Sequence, residues 1–265
     1  MTERGTNTWL LGQGEVTVID PGPGLTAHLD AILAALDRGE RIVRIIVTHR
    51  HADHSGLAPA LAARTGAPVL GAAAPLPAAP PHGEGPAEGI DRSFRPDIVL
   101  ADGDVVEAAG LRLAVLHTPG HLGDHICLLW PGGAFSGDHV MGWSSSIVSP
   151  PEGDMGAYMA SLDRLAAAAG AAPLFPGHGD PVVEGQARIA ALRRHRLARE
   201  AAIRDALGRG HRTIAAIARA VYADLAPAML PAASRNVLAH LVDLQRRGLA
   251  AAEPDGRGDL LYRIP

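Results

Sequence analysis

The chain has 265 residues, of which 47% are hydrophobic and 20% charged, and its formal net charge is −4. This composition is typical of a globular protein of one or two domains, and no apolar run approaches the roughly 18 residues that a membrane span needs. The first seven residues contain no basic start followed by an apolar stretch, so we predict no secretion signal and expect a cytoplasmic protein without a membrane anchor.

Strand and helix signals alternate over the first two thirds of the chain. Short apolar or β-branched runs bounded by glycine and proline predict strands, and apolar residues at helical spacing predict helices. The predicted strands lie at 8–11, 16–20, 42–47, 67–70, 98–100, 105–106, 111–116, 125–130, 134–135 and 174–175. The predicted helices lie at 25–36, 56–64 and 156–169. This order favours an α/β sandwich of two sheets with helices outside.

Residues 71–96 interrupt this alternation with six prolines and many glycine and alanine residues. They show no periodicity, so we predict a loop. Such a loop either flanks an active site or is an ordinary surface loop, and the sequence leaves both interpretations open.

The charge balance changes after residue 185. Residues 1–185 carry 10 Arg and 21 acidic residues, whereas residues 186–265 carry 14 Arg and 7 acidic residues. The second part has predicted helices at 186–207, 214–222 and 234–247, then a hairpin of 249–251 with 260–263. Three helices and a small hairpin resemble a winged-helix unit. We therefore predict two domains, 1–185 and 186–265, the first suited to cations and the second to anions.

The densest set of metal donors follows the predicted strand at 42–47. It reads Thr48-His49-Arg50-His51-Ala52-Asp53-His54. In an extended backbone alternate side chains share a face, so His49, His51 and Asp53 project together, and His54 turns towards them as a helix begins near Gly56. Imidazole and carboxylate suit Zn²⁺, and so dense a set can divide between two ions. The alternative is a histidine-rich surface loop, but the spacing favours a metallohydrolase.

Three further donors, His121, Asp138 and His178, each follow a predicted strand beside a glycine. Glycine at a strand end lets the backbone approach a neighbour closely. Together with the first motif, these segments resemble the metallo-β-lactamase superfamily over residues 5–183. The resemblance implies a four-layer αββα sandwich.

The resemblance also implies a centre of two divalent ions, for which Zn²⁺ is the expected metal. In it, His49, His51 and His121 hold one ion, Asp53, His54 and His178 hold the other, and Asp138 bridges both. Two ions about 3.5 to 4 Å apart lower the pKa of a shared water to roughly 7, so a bridging hydroxide attacks the substrate at neutral pH. Asp53 is the expected catalytic residue, because it can orient the nucleophile and pass a proton to the leaving group. Asp20 either supports this centre or caps a turn before Pro21.

A narrower resemblance joins three segments to the winged-helix-like unit. They are Gly5-Thr6-Asn7-Thr8-Trp9-Leu10, Tyr158-Met159-Ala160-Ser161-Leu162 and His195-Arg196-Leu197-Ala198-Arg199-Glu200. This combination is similar to the mitochondrial β-lactamase-like endoribonuclease and its bacterial relatives. The last segment has a simpler interpretation, a salt-bridged helix face that packs the two units together. Only four residues precede Gly5, which leaves open whether an N-terminal strand is missing.

Three functions fit these observations. The first is hydrolysis of phosphodiester bonds in single-stranded RNA, favoured by the arginine-rich second unit but not by the nine dispersed aromatic residues. The second is hydrolysis of small thioesters, lactones or β-lactams, as in glyoxalase II or lactamases, with the 71–96 loop and Trp143 at the lip of a pocket. The third, a non-catalytic winged-helix module, is disfavoured because all seven donors are present. We predict a binuclear hydrolase and leave its oligomeric state open, a homodimer being one option.

The remaining titratable residues have weaker assignments. His125, His117, His139 and Asp124 lie beside expected ligands and could orient them through hydrogen bonds. His28, His82, His211 and His240 are expected at solvated or capping positions. The single cysteine, Cys127, rules out an intrachain disulfide and is expected to be a small buried apolar side chain.

Overall fold

The first sheet contains the strand that leads into the histidine motif. In the computed structural model, which describes residues 5–73, 89–255 and 260–265, its strands lie side by side in chain order, β1 antiparallel to β2 and the others parallel. They are β1 (Trp9–Leu11), β2 (Glu15–Ile19), β3 (Arg41–Val47), β4 (Val69–Gly71) and β5 (Ile98–Val99). The helices of this half are α1 (Thr26–Ala34), α2 (Ala52–Ser55) and α3 (Ala58–Thr65).

The second sheet supplies the later donors. Its strands also lie in chain order and are antiparallel, except that the last two run parallel. They are β6 (Val105–Ala108), β7 (Leu111–His117), β8 (Ile126–Trp130), β9 (Gly133–Gly137) and β10 (Leu174–Pro176). Helix α4 (Met155–Ala169) begins after Asp154, whose side chain accepts a hydrogen bond from the Ala157 N–H and so caps the helix.

Three layers of apolar side chains hold these elements together. Alternation along β3 directs Ile45 towards α3 and Ile46 towards the second sheet, where it belongs to the same apolar cluster as Leu128. The far face of the second sheet, including Cys127, packs against α4 and the long helix α5 (Gly185–Gly208). Helix, sheet, sheet and helix therefore form four layers, and the predicted αββα sandwich is confirmed.

The C-terminal part is a helical unit with a small hairpin. It comprises α5, α6 (Ile214–Val221), a 3₁₀ turn (Pro227–Met229), α7 (Leu230–Arg246) and the antiparallel pair β11 (Ala251–Pro254) and β12 (Leu260–Arg263). The predicted winged-helix-like unit is confirmed. Helix α5 contributes Ile189 to the sandwich core and Ile203 to the C-terminal core. The division at residue 185 stays a prediction.

Some sequence-based expectations were wrong in detail. The backbone after His51 is helical from Ala52, not extended up to Gly56, because α2 is a separate four-residue helix. Helix α7 begins four residues early, with Pro231 in its first turn, where the missing N–H costs no hydrogen bond. His240 is buried rather than solvated. Of the predicted loop at 71–96, residues 74–88 lie outside the described residues. No helix in the described ranges is long and apolar enough to cross a membrane.

Candidate metal centre

The four donor segments meet because they follow the ends of strands in two facing sheets. Strand β3 leads to His49, β7 to the loop with His121, β9 to Asp138 and β10 to His178. All seven predicted donors come together there, in two groups. The three-histidine group consists of His49, His51 and His121, with Asp138 beside it, and the mixed group consists of Asp53, His54 and His178.

Ring nitrogens of the three-histidine group converge closely. His49 Nε2 lies 2.9 Å and His121 Nε2 lies 3.0 Å from His51 Nδ1. Nitrogens bound at about 2.05 Å to one tetrahedral ion are about 3.3 Å apart. The spacing therefore approaches that of ligands on a single ion.

In the mixed group, His54 Nε2 and His178 Nε2 are 3.3 Å apart, and His178 Nε2 is 3.3 Å from Asp53 Oδ2. Asp138 lies between the groups. Its Oδ2 is 3.3 Å from His178 Nε2 and 3.7 Å from His121 Nε2. This position places one carboxylate oxygen beside both groups.

Two glycines make this approach possible. Gly137 has φ +47°, and a Cβ there would lie 2.6 Å from His125 Nε2. A Cβ on Gly177 would lie 2.5 Å from Asp138 Oδ1 and 2.6 Å from His54 Cε1. Any side chain at Gly177 would therefore push the donors apart.

Three of the five donor histidines are oriented through their other ring nitrogen. His121 Nδ1 is 2.6 Å from Ile147 O, and His178 Nδ1 is 2.9 Å from Gly5 O. His54 Nδ1 is 2.9 Å from Asp20 Oδ2. Because carbonyl and carboxylate oxygens only accept, these rings carry their proton on Nδ1 and turn Nε2 towards the centre. Asp20 thus supports the centre, the first of its two predicted roles.

The pKa values of the histidines in the two groups are shifted in opposite directions. Burial lowers the pKa of His51 to about 3 and that of His49 well below its usual value. Burial also acts on His54 and His178, but the carboxylates of Asp138, Asp20 and Asp53 overcome it and raise the pKa of His54 well above normal and that of His178 to about 10. The three-histidine group is therefore neutral at pH 7, whereas the mixed group attracts positive charge.

One observation supports binding of divalent ions by these donors without reference to any family resemblance. Asp138 Oδ1 is buried and accepts no hydrogen bond from the described residues, although His54 Nε2 is only 3.4 Å away. A buried carboxylate oxygen without a donor costs free energy unless a cation compensates it. Although burial acts to raise it, the positive charge of His54 and the hydrogen bond with His178 keep the pKa of Asp138 well below normal, so this carboxylate is ionised and available to a cation.

The centre opens into a cavity of about 500 Å³ between the sandwich and the C-terminal unit. Five of the donors line it. Most of the remaining wall is apolar or carries a serine hydroxyl, as with Leu122, Met141, Trp143, Ile147, Met229, Pro231, Ser144 and Ser149. Trp143 was expected at the pocket lip and does line it. No local sequence signal pointed to Met229, Pro231 and Arg235, which reach the cavity only because α7 packs beside it.

The residues flanking the donors have varied roles. His125 Nε2 accepts from the Asp138 N–H at 3.1 Å, so His125 orients that residue as predicted. Asp124 instead binds Arg50, with Arg50 Nε 2.8 Å from its Oδ2. His139 is buried without a hydrogen bond from either ring nitrogen to the described residues, and His117 Nε2 contacts Gly123 O at 2.8 Å. His117 and His139 therefore do not orient the donors through ring hydrogen bonds.

Arg196 links the C-terminal unit to the centre. It is 1% exposed, lies over the Tyr158 ring, and donates to Ser146 O and to Asn236 Oδ1. The Ser146 hydroxyl in turn donates to Asp138 O. The segment that contains Arg196 was expected to pack the units together by salt bridges, but Arg196 does so through neutral acceptors.

Comparison with known proteins identifies the family. The metallo-beta-lactamase superfamily profile matches residues 1–178, and that of the beta-lactamase associated winged helix domain matches residues 213–258. The first match covers more than half of the chain. The chain therefore belongs to the metallo-beta-lactamase superfamily and is a hydrolase of that fold.

Two curated relatives have informative names. The "Atrochrysone carboxyl ACP thioesterase" of Aspergillus chevalieri is 32% identical over 231 residues, which are 83% of this chain and 68% of that protein. The "Beta-lactamase-like protein 2 homolog" of Drosophila melanogaster is 30% identical over 271 residues, which are 94% of this chain and 85% of that protein.

Solved structures agree on the fold. A metallo-beta-lactamase family protein from Thermus thermophilus superposes with a TM-score of 0.79 at 24% identity, covering 98% of this chain and 94% of that one. A shorter similar protein, crystallised in a di-iron-bound form, has a TM-score of 0.54 at 26% identity and covers 68% of this chain and 91% of its own.

Proposed function

We propose that the chain is a binuclear metal-dependent hydrolase that cleaves a small acyl thioester or ester. The observation that carries this proposal is that five of the donors line a largely apolar cavity of about 500 Å³. Cavities of this size enclose small ligands rather than polymers. An acyl chain or aromatic acyl group would lie against Leu122, Met141 and Trp143 with its carbonyl at the donors.

In this proposal His49, His51 and His121 hold one ion, and Asp53, His54 and His178 hold the other. Asp138, whose Oδ2 lies near His121 and His178 and whose Oδ1 has no hydrogen-bond partner among the described residues, would bridge them. The mixture of imidazole and carboxylate favours Zn²⁺. When bound, two such ions supply a water of pKa near 7 and polarise the substrate carbonyl.

Asp53 is the proposed proton carrier. Burial would raise the pKa of its carboxyl group, but the hydrogen bond with His178 and the charge of His54 lower it to about 2, so the group is ionised. The Thr6 hydroxyl donates to its Oδ2 at 3.3 Å and holds it at the cavity. Asp53 accepts a proton from water as the new carbon–oxygen bond forms, and it returns the proton to the thiolate as the carbon–sulfur bond breaks.

The relatives' names favour thioesters over RNA, since one of them is a thioesterase. Single-stranded RNA is usually held by several stacked aromatic side chains. Trp143 is the only Phe, Trp or Tyr among the described residues that line the cavity. The test below therefore includes cleavage of RNA as the competing outcome.

The test combines metal analysis with a substrate panel. Purified full-length protein should contain close to two equivalents of divalent metal, and it should hydrolyse a benzoyl thioester faster than a lactone, a β-lactam or an RNA oligonucleotide. Asp163→Asn, an exposed carboxylate remote from the cavity, serves as the control variant. Cleavage of RNA without thioester turnover would replace the thioester proposal by the nuclease one.

A further inference from the structure

The cavity contains one permanent positive charge. Arg235 is the only arginine among the described residues that line it, and the chain has no lysine. An arginine side chain stays protonated at every physiological pH. The cavity thus combines the donors, an apolar wall and a guanidinium group that belongs to another unit of the fold.

Arg235 is held in place rather than extended into solvent. It is half-buried in the second turn of α7, and its Nη1 donates to Ser149 Oγ at 3.0 Å. Ser149 is itself buried and lies on the sandwich side of the cavity. This hydrogen bond fixes the guanidinium plane at the junction of the two units.

The chemistry of this position favours an anion. A guanidinium group presents its N–H donors in a rigid plane that matches carboxylate and phosphate oxygens. Arg235 is half-buried, which strengthens a charge pair because the effective dielectric constant there is lower than in water.

We propose that Arg235 forms an oxyanion-binding subsite, so that the substrate is an acyl thioester that carries a carboxylate or phosphate group away from the scissile bond. This inference rests on the proposed function and narrows its substrate class. The anionic group is either a carboxylate on the acyl part or a phosphate on the thiol part. The two sources differ in which half of the thioester extends from the donors to α7.

Steady-state kinetics with three thioesters test the subsite. They are the neutral N-acetylcysteamine thioester of hexanoic acid, that of adipic acid with a free carboxylate, and the hexanoyl thioester of 4′-phosphopantetheine. Arg235→Met should raise the KM of at least one anionic thioester about 10- to 100-fold, as expected for a lost charge-assisted hydrogen bond. The KM of the neutral thioester should change less than about twofold, and kcat should be retained for all three.

The control variant is Arg246→Met on the same helix. Arg246 is exposed and pairs with Asp154 outside the cavity, so its loss removes the same charge from α7 without touching the subsite. Arg235→Lys, which keeps the charge but not the planar fork, should have an intermediate KM. It also keeps the test valid if Arg235→Met does not fold. Equal changes of KM for neutral and anionic thioesters would overturn the subsite.

A binding measurement separates this inference from the proposed reaction. Thioether analogues of the three compounds cannot be hydrolysed, and calorimetry of the metal-loaded full chain gives their Kd. Wild-type protein should bind at least one anionic thioether about ten times more tightly than Arg235→Met does, and the neutral one equally. Absence of thioester turnover would refute the proposed function, whereas equal Kd values in both proteins would refute the subsite alone.

Discussion

The two halves of the candidate metal centre are supported by opposite ends of the chain. In the three-histidine group, His121 is oriented by Ile147 O, and the loop that contains Ile147 is held by Arg196 of the C-terminal unit. In the mixed group, His178 is oriented by Gly5 O and Asp53 by the Thr6 hydroxyl, both near the N-terminus. The donors themselves come from the sandwich in both cases.

This difference indicates that the geometry of the site depends on segments that contribute no donor. The neutral three-histidine group relies on buried contacts with α5, whereas the mixed group relies on a short stretch of backbone together with Asp20. Loss of either support should disturb one group more than the other. The predictions below test that separation.

The largest effect is expected for Asp138→Asn, because Asp138 lies beside both groups. An amide has one oxygen instead of two and no charge, so it cannot bridge two cations. We expect turnover to fall at least about 1,000-fold, a loss typical of groups that act at the reacting atoms. Circular dichroism should show an unchanged fold, and retained turnover would contradict the bridging position.

A smaller and one-sided effect is expected for Arg196→Met. The substitution removes the donors to Ser146 O and Asn236 Oδ1 and so loosens the loop behind His121. Removing such a supporting contact typically weakens metal affinity about 10- to 100-fold. Chelator competition should show that one of the two metal equivalents is lost more easily than in the wild type.

Arg199→Met is the matched control for Arg196. Arg199 lies on the same helix, donates to Val221 O at 3.1 Å and packs over the Tyr222 ring, all within the C-terminal unit. It should lower the thermal midpoint without changing metal affinity. Equal metal loss in both variants would show that α5 does not act through the Ser146 contact.

Thr6→Val should affect the mixed group, but less. It removes one half-buried hydrogen bond to the Asp53 carboxylate. We expect kcat to fall about three- to tenfold, in line with roughly 1 kcal/mol for one such bond. Thr8→Val is the control, since Thr8 Oγ1 contacts His28 instead, 2.9 Å away. Identical kinetics for Thr6→Val and the wild type would remove Thr6 from the support.

The last prediction concerns stability against pH rather than activity, and it involves a residue of the C-terminal unit. Burial and the nearby Arg196 charge lower the pKa of His240 to about 3, below its unfolded value near 6.5. At a pH between these two pKa values, His240 is protonated in the unfolded chain but neutral in the folded chain. The free energy of unfolding should therefore fall by up to about 1.4 kcal/mol per pH unit below pH 6.5, and this group should have no effect above it.

His240→Leu tests this contribution. Urea unfolding at about pH 7.5 and about pH 5, on either side of the unfolded pKa, should show a smaller loss of stability on acidification in the variant than in the wild type. Parallel losses in the two proteins would mean that His240 is accessible to protons in the folded state. Metal binding by the mixed group should be unaffected.

The sequence predicts the donors better than it predicts their surroundings. The spacing of His49, His51, Asp53 and His54 is local, and glycine beside His178 and Asp138 indicates strand ends, so the donor set is visible without a fold. The four-residue helix α2 is too short to show periodicity, which explains the misplaced helix start. The misplaced helix start has little consequence for the site, because the Asp53 side chain still lines the cavity.

Residues whose roles depend on packing between distant elements could not be predicted. His240 and Arg196 are buried because α5 and α7 pack against the sandwich, and nothing in their own neighbourhoods differs from a solvated helix face. Arg235 resembles any surface arginine in the sequence. Its place in the cavity follows from the junction of two units, which local patterns do not encode.

Two separate stretches of chain line the cavity, and we propose different roles for them. The proposed metal donors lie in loops of the sandwich, whereas Met229, Pro231 and Arg235 come from the start of α7 and its preceding turn. Substitutions there can alter which molecule fits while every donor stays in place. Substrate choice and hydrolysis can therefore change separately in evolution, because about two helical turns contribute to the cavity wall but supply no donor.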